Sequence, residues 1–298
     1  MAVVKKSKAV APTERAESSP RERVKVRLPE HRSKPSGDLS DYTILVHGRQ
    51  KIGKTTLFSG ERLFYFEFDP YQGSYRLYQE HMPDWRTFLA YLTELEKRVA
   101  AGTFSYSGIC VDRVDLMYKA CMIWCVENRL GGVQPEDLGG WEKGQAWAMI
   151  RDTADRVVRR LFALPGGKRF ICHSKTKEVQ VGEDEKIEML SPDLPGQADS
   201  LIAGRVDILA TYQYNGRKRV LIVLGDERTA AGHRLEGHFQ TPDGQRVREI
   251  PMGDSSDEAY RNLLRAFNNE QAYVDLDDRR KQKGGETSPR VKKMLKRL

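Results

Sequence analysis

Cysteine is scarce in this chain of 298 residues, and the four present occur at no zinc-ligand spacing. Cys110 and Cys172 fall inside apolar strand-like runs, and Cys121 and Cys125 lie one helical turn apart, so all four read as reduced core residues. Long apolar runs are missing, which excludes a membrane-spanning helix, and Met1 to Lys6 lacks the apolar stretch of a signal peptide. The expectation is a soluble cytoplasmic protein with no membrane partner. There is no internal repeat. A net positive charge is missing from the centre: residues 1–38 carry ten Lys/Arg against five Asp/Glu, residues 279–298 carry nine against one, and the net charge of +8 therefore leaves −5 between them. Basic tails on a mildly acidic centre suggest an electrostatic tether to a polyanion, nucleic acid being the first candidate; a solvated terminus that aids solubility is the alternative.

What is there starts with Gly48-Arg49-Gln50-Lys51-Ile52-Gly53-Lys54-Thr55, the pattern of the phosphate-binding P-loop. Gly48 and Gly53 permit the turns that point successive N–H groups inward as an anion nest. Lys54 would bridge the β- and γ-phosphates of ATP, and the Thr55 hydroxyl would sit on Mg²⁺, with Thr56 next on the helix. The β-branched, apolar run before the loop and Leu57-Phe58 after it supply the strand–loop–helix context that the motif requires.

Strands are predicted at 42–46, 63–68, 107–111 and 169–172. Helices are predicted at 54–60, around Phe88, Leu92, Leu95 and Val99, at 116–130, and from Trp147 to Leu161, the last ending at Pro165-Gly166-Gly167. Helices between short apolar strands argue an α/β fold with a mainly parallel sheet flanked by helices. Later segments read as C-terminal β-hairpins, one around the acidic turn 182–185 and one around Asn215-Gly216, followed by a terminal helix at 258–267. The domain reading is a disordered basic tail at 1–38, one domain at 39–275 and a basic tail at 276–298.

Hydrolysis needs more than a phosphate cradle. Asp112 ends an apolar strand and is the candidate Mg²⁺-side acid, with helix capping as the competing role for a strand-end Asp and Asp115 available to cap instead. Glu67 and Asp69 alternate with Phe68 and so share a face; either is a candidate to orient the attacking water. His173 follows the strand at 169–172 and suits a γ-phosphate sensor, since ligands bind at the carboxyl ends of parallel strands.

Taken together, Gly48 to Thr55, the strand ending Phe68-Asp69, Ile109-Cys110-Val111-Asp112, Trp141-Glu142-Lys143-Gly144 and Phe170-Ile171-Cys172-His173 resemble the phage-encoded AAA/RecA-like nucleotide-binding proteins. These lie close to the RecA-like ATPases that phages use with single-strand annealing proteins. The resemblance spans roughly residues 40 to 230. It implies a RecA-like P-loop NTPase core, Mg²⁺-dependent ATP hydrolysis, self-association into a ring or filament, and action on single-stranded DNA in recombination, repair or replication. A single-strand annealing or single-strand binding protein is the implied protein partner. The loops that line the DNA path in RecA correspond to 131–144, with Trp141, and 174–204, with Lys175 and Lys177. Cations reaching a neighbouring subunit would come from Lys218, Arg219 or Arg228. Two departures stand out: Tyr71 occupies the position of RecA's catalytic Glu, and Arg113 follows the Walker B acid where RecA has a small residue. A small-molecule kinase would need an arginine-rich lid, and 174–204 is poor in arginine.

Overall fold

The computed structural model describes residues 28–69, 75–132, 144–181 and 185–270. Most of the N-terminal tail, the C-terminal tail, the acidic turn at 182–184, Tyr71 and Trp141 lie outside the described residues. The strands are β1 (Thr43–Gly48), β2 (Leu63–Glu67), β3 (Tyr78–His81), β4 (Gly108–Asp112), β5 (Gly167–Val181), β6 (Glu185–Pro192), β7 (Ile208–Asn215), β8 (Lys218–Ile222), β9 (Gly232–His233) and β10 (Glu249–Pro251). The helices are α1 (Lys54–Leu57), α2 (Trp85–Ala100), α3 (Val114–Arg129), α4 (Gln145–Ala163), α5 (Gly196–Ile202) and α6 (Ser256–Phe267).

The sheet runs β10-β8-β7-β1-β5-β4-β2-β3, and its six strands from β7 to β3 are parallel. β8 and β10 extend it antiparallel, completing the expected mainly parallel RecA-like α/β architecture with late hairpins and a terminal helix. β5 separates the P-loop strand β1 from the acid-bearing strand β4.

Strand alternation sorts the core. Leu45, Phe66, Val111 and Phe170 face α2, α3, α4 and α5, whereas Ile44, Val46, Cys110 and Ile171 face α1 and α6. Both faces of β1, β2 and β4 are covered, so these strands are buried throughout and read as continuous apolar runs rather than alternating ones. All four cysteines are buried and free.

β5 departs from expectation. A short strand and a separate hairpin arm are predicted, but one 15-residue strand runs through both. Its first half lies between β1 and β4; beyond His173 it pairs with β6 alone, and the pattern changes because only one face there is half covered. β3 was not legible, since its four residues are mostly exposed at the sheet edge and carry no apolar alternation. The P-loop helix is also shorter than the predicted 54–60: α1 is a single turn.

Arg169, on β5, is wholly buried among apolar residues. Its Nη1 donates to the Tyr42 carbonyl at 2.8 Å, and its Nη2 and Nε meet the Glu61 carboxylate at 3.1 Å each. A buried guanidinium is tolerable only when its donors are met in this way, and here it ties the turn before β1 and the segment after α1 to the sheet. Arg169→Met is expected to destabilise by about 3–5 kcal/mol, because Glu61 is left buried and unpaired. Arg169→Met with Glu61→Leu should recover most of that loss in urea unfolding at pH 7; a double variant as unstable as the single would refute the pairing.

Candidate active site

β1 delivers the chain into the loop at 49–53 and then into α1. Gly48 is required by crowding rather than by a turn: a Cβ there would collide with the Tyr212 carbonyl on β7. Gly53, at φ +105°, needs the left-handed conformation itself, and Lys51 adopts φ +58°. One helical turn carries little macrodipole, which leaves the loop N–H groups and Lys54 as the groups available to hold an anion. Lys54 is buried, and its Nζ donates to the carbonyls of Gly48 at 3.0 Å and Arg49 at 2.8 Å. Burial lowers its pKa to about 8, with Asp112 opposing the shift.

Tyr65, Cys110 and Ile171 project from the α1 face of the sheet, so two residues onward Glu67, Asp112 and His173 emerge from the same face. The register sets Glu67 beside Asp112 and Asp112 beside Ile171, while His173 lies abreast of Gly48. Four neighbouring strands thus bring their carboxyl ends to one place, where α/β sheets bind ligands.

The Thr55 hydroxyl donates to Asp112 Oδ2 at 2.6 Å. Asp112 is buried, and desolvation pushes its pKa up to about 6 although Thr55, Lys54 and Arg113 favour its charged form. Glu67 is pushed further, to about 9, first by burial and then by the charge of Asp112. Its Oε1 accepts from the Asp69 N–H at 3.1 Å, while Oε2 is buried and has no hydrogen-bond partner among the described residues. A hydroxyl and two carboxylates are hard oxygen donors, and an orphaned buried oxygen beside them fits a small hard cation and its water shell. Among the described residues no group of three or more His, Cys, Asp or Glu is arranged as an all-protein metal cage, as suits Mg²⁺, which takes one or two protein oxygens and completes its shell with phosphate and water.

Arg113 separates the two water-orienting candidates. It pairs with Asp69 at 3.0 Å and grips Asp115 through Nη2 at 2.6 Å and Nε at 3.2 Å. Asp69 is thereby engaged, and Glu67 is the carboxyl left toward Asp112. Asp115 is not the helix cap considered from sequence; Arg113 holds the N-cap position of α3 without a side-chain cap bond. His173 is half-buried, and burial first, then the cations Arg113 and Lys54, lower its pKa and so favour the neutral imidazole.

His47 was not anticipated. It is wholly buried at the end of β1: Nδ1 meets Ser174 Oγ at 2.8 Å, Nε2 meets the Ala230 carbonyl at 2.9 Å, and Thr211 Oγ1 lies 2.8 Å from Nε2. Burial pushes its pKa down to about 4, so a neutral imidazole joins β1, β5 and β7 beneath the P-loop. A histidine inside an otherwise apolar strand was the available signal.

The expected DNA-contacting lysines are engaged within the chain, Lys175 with Asp193 at 3.3 Å and the Leu194 carbonyl at 2.7 Å, and Lys177 with Asp199 at 3.2 Å. Lys218 and Arg228 are exposed, whereas Arg219 is half-buried against its own P-loop. A groove of about 500 Å³ between α2 and α3, lined by Met82, Trp85, Leu116, Ile123 and Trp124, opens away from this chemistry. Phe68 lines it, and alternation puts Phe68 on the face opposite Glu67. No helix among the described residues is long and apolar enough to cross a membrane.

Residues 40–235 match a family model described as an AAA domain. Among curated proteins, no match is found.

The raised Glu67 pKa has a defined consequence. Between about pH 4.5 and 9 the folded carboxyl keeps a proton that the unfolded chain has lost, so this group erodes stability as pH rises through that window. Glu67→Gln is therefore expected to gain stability relative to wild type on going from pH 4 to pH 8, by on the order of 1–3 kcal/mol, in urea unfolding. A difference independent of pH would show that the carboxyl is not desolvated in the folded chain.

Proposed function

Since this chain belongs to the AAA domain family, a family of P-loop, ATPase-like proteins, we propose that it binds and hydrolyses ATP with Mg²⁺ and acts on single-stranded DNA in phage recombination, repair or replication. The observation that carries the nucleotide part is the Thr55–Asp112 hydrogen bond, which joins the P-loop to the end of β4 within reach of Lys54.

The residues divide the work. The N–H groups of residues 49–53 with Lys54 hold the triphosphate, and Thr55 and Asp112 hold the cation. Mg²⁺, when bound, neutralises phosphate charge and orients the phosphate oxygens. His173 donates toward the terminal phosphate from β5, and Glu67 orients the attacking water. His47 keeps the end of β1 in register with β5 and β7, so that Gly48 and His173 stay abreast.

A second reading has its own support. A carboxyl pushed up to about 9 already holds a proton at neutral pH and cannot accept another, and Tyr71 stands where RecA's catalytic Glu would be. An ATP-switched, weakly hydrolysing loader or recombination mediator would need no efficient base. Either reading uses the basic tails, rather than Lys175 and Lys177, as the cations toward a DNA backbone, and either is compatible with assembly into a ring or filament.

ATP turnover in Mg²⁺ by wild type and Lys54→Ala, with and without single-stranded DNA, separates them. Turnover that rises with DNA and vanishes in Lys54→Ala supports the motor. ATP binding and ATP-dependent growth of oligomers with negligible turnover supports the switch. Absence of ATP binding would overturn both. Removal of residues 279–298 is expected to weaken single-stranded DNA binding and flatten its salt dependence, since each lost phosphate contact lowers the slope by about 0.7; an unchanged slope would take the C-terminal tail out of DNA binding.

A further inference from the structure

Resting on the nucleotide-binding reading, we propose that Arg219 is a phosphate-binding cation of its own subunit's site, set over Gly53 to contact the diphosphate portion common to ADP and ATP. Sequence resemblance had grouped Arg219 with residues that reach a neighbouring subunit, and its position in the fold points elsewhere.

Arg219 lies on β8 directly opposite Tyr214 of β7. Tyr214 is two residues beyond Tyr212, whose side chain packs with the α1 face, so Arg219 shares the face that carries the P-loop. Its Nη1 stands 3.2 Å from where a Cβ on Gly53 would be, and Thr56 Oγ1 at 3.4 Å and the Tyr212 hydroxyl at 3.8 Å approach the same point. The guanidinium and the Tyr212 hydroxyl therefore approach the glycine that precedes Lys54, whose carbonyl accepts from the Thr56 hydroxyl at 3.1 Å.

The far side of the guanidinium is clamped. Nε and Nη2 donate to the Gly253 carbonyl at 3.2 Å and 2.9 Å. That carbonyl lies at the lead-in to α6, where Glu258 Oε2 accepts from the Asp254 N–H at 3.0 Å and Ser255 Oγ accepts from the Glu258 N–H at 3.1 Å. No carboxylate pairs with Arg219 among the described residues, and Nη1 has no hydrogen-bond acceptor among them. A half-buried cation that is oriented but not neutralised, with one donor edge turned to a P-loop, is suited to a polyanion.

Its place along the loop selects the part of the nucleotide. Thr55 and Asp112 lie on the side where the cation and terminal phosphate belong, whereas loop N–H groups at Gly53 belong to the inner phosphates. Loss of Arg219 should therefore weaken ADP as much as ATP. A residue that reads only the terminal phosphate of a neighbour would leave ADP untouched.

The test is equilibrium binding of ADP and of ATP, each with Mg²⁺, to wild type, Arg219→Ala and Arg219→Gln, with thermal unfolding measured alongside. Gln retains an amide donor for the Gly253 carbonyl and removes the charge, so it reports on phosphate binding even where the Ala variant fails to fold. The expected result is a loss of about 10–100-fold for both nucleotides in folded Arg219→Gln. Unchanged ADP affinity in that variant overturns the proposal. So does unchanged ADP affinity with ATP turnover restored by mixing Arg219→Ala with Lys54→Ala subunits, which would place the residue across a subunit boundary. Wild type that binds neither ADP nor ATP would instead sink the nucleotide reading itself, a result distinguishable from the variant outcomes.

Discussion

A single hydroxyl-to-carboxylate hydrogen bond, Thr55 to Asp112, joins the two parts of this site that are distant in sequence. The P-loop leaves the sheet at β1, and the acid leaves it two strands away at β4, with β5 between them. That spacing leaves room for the end of β5 to enter the site, which is how His173 comes to lie abreast of Gly48. Because both sheet faces are packed with helices, polar side chains that must meet a charged ligand are confined to the carboxyl ends of the strands. Fold and site are in this sense one constraint.

Charge at the site is apportioned by burial and by Arg113. Asp69, Asp112, Asp115 and Glu67 would repel one another if all were free. Arg113 pairs with both Asp69 and Asp115, Thr55 and Lys54 support Asp112, and Glu67 is left to hold a proton. Arginine in place of a small residue after Asp112 thus changes which carboxyl is available beside it. A protonated Glu67 is a poor base, and its competence to activate a water turns on how that proton responds when the charges around Asp112 change.

Two further polar groups carry weight inside the core. His47 closes a neutral network among β1, β5 and β7, and Arg169 ties the segments flanking β1 and α1 to the sheet. Every side-chain nitrogen of both has a hydrogen-bond partner, which is the condition under which buried polar groups specify an arrangement instead of weakening it. Each holds the P-loop strand from a different end.

The P-loop, the apolar strand ending in Asp112 and the helix periodicities were legible in the sequence because they are local: a glycine-bounded loop, a β-branched run and a 3.6-residue repeat need no distant partner to be recognised. The parallel sheet followed from their alternation. β3 and the full length of β5 were not legible, since β3 has little apolar pattern and the outer half of β5 owes its conformation to pairing with β6. Glu67 and Asp69 looked equivalent, as did Lys218, Arg219 and Arg228. Only tertiary contact separated them, by setting Arg113 on Asp69 and Arg219 over Gly53. The sequence by itself determined which chemical groups the chain possesses and which face of each strand they share. Their partners, and with them their charge states, were decided by the fold, because desolvation and electrostatic pairing depend on distances between residues far apart in the chain.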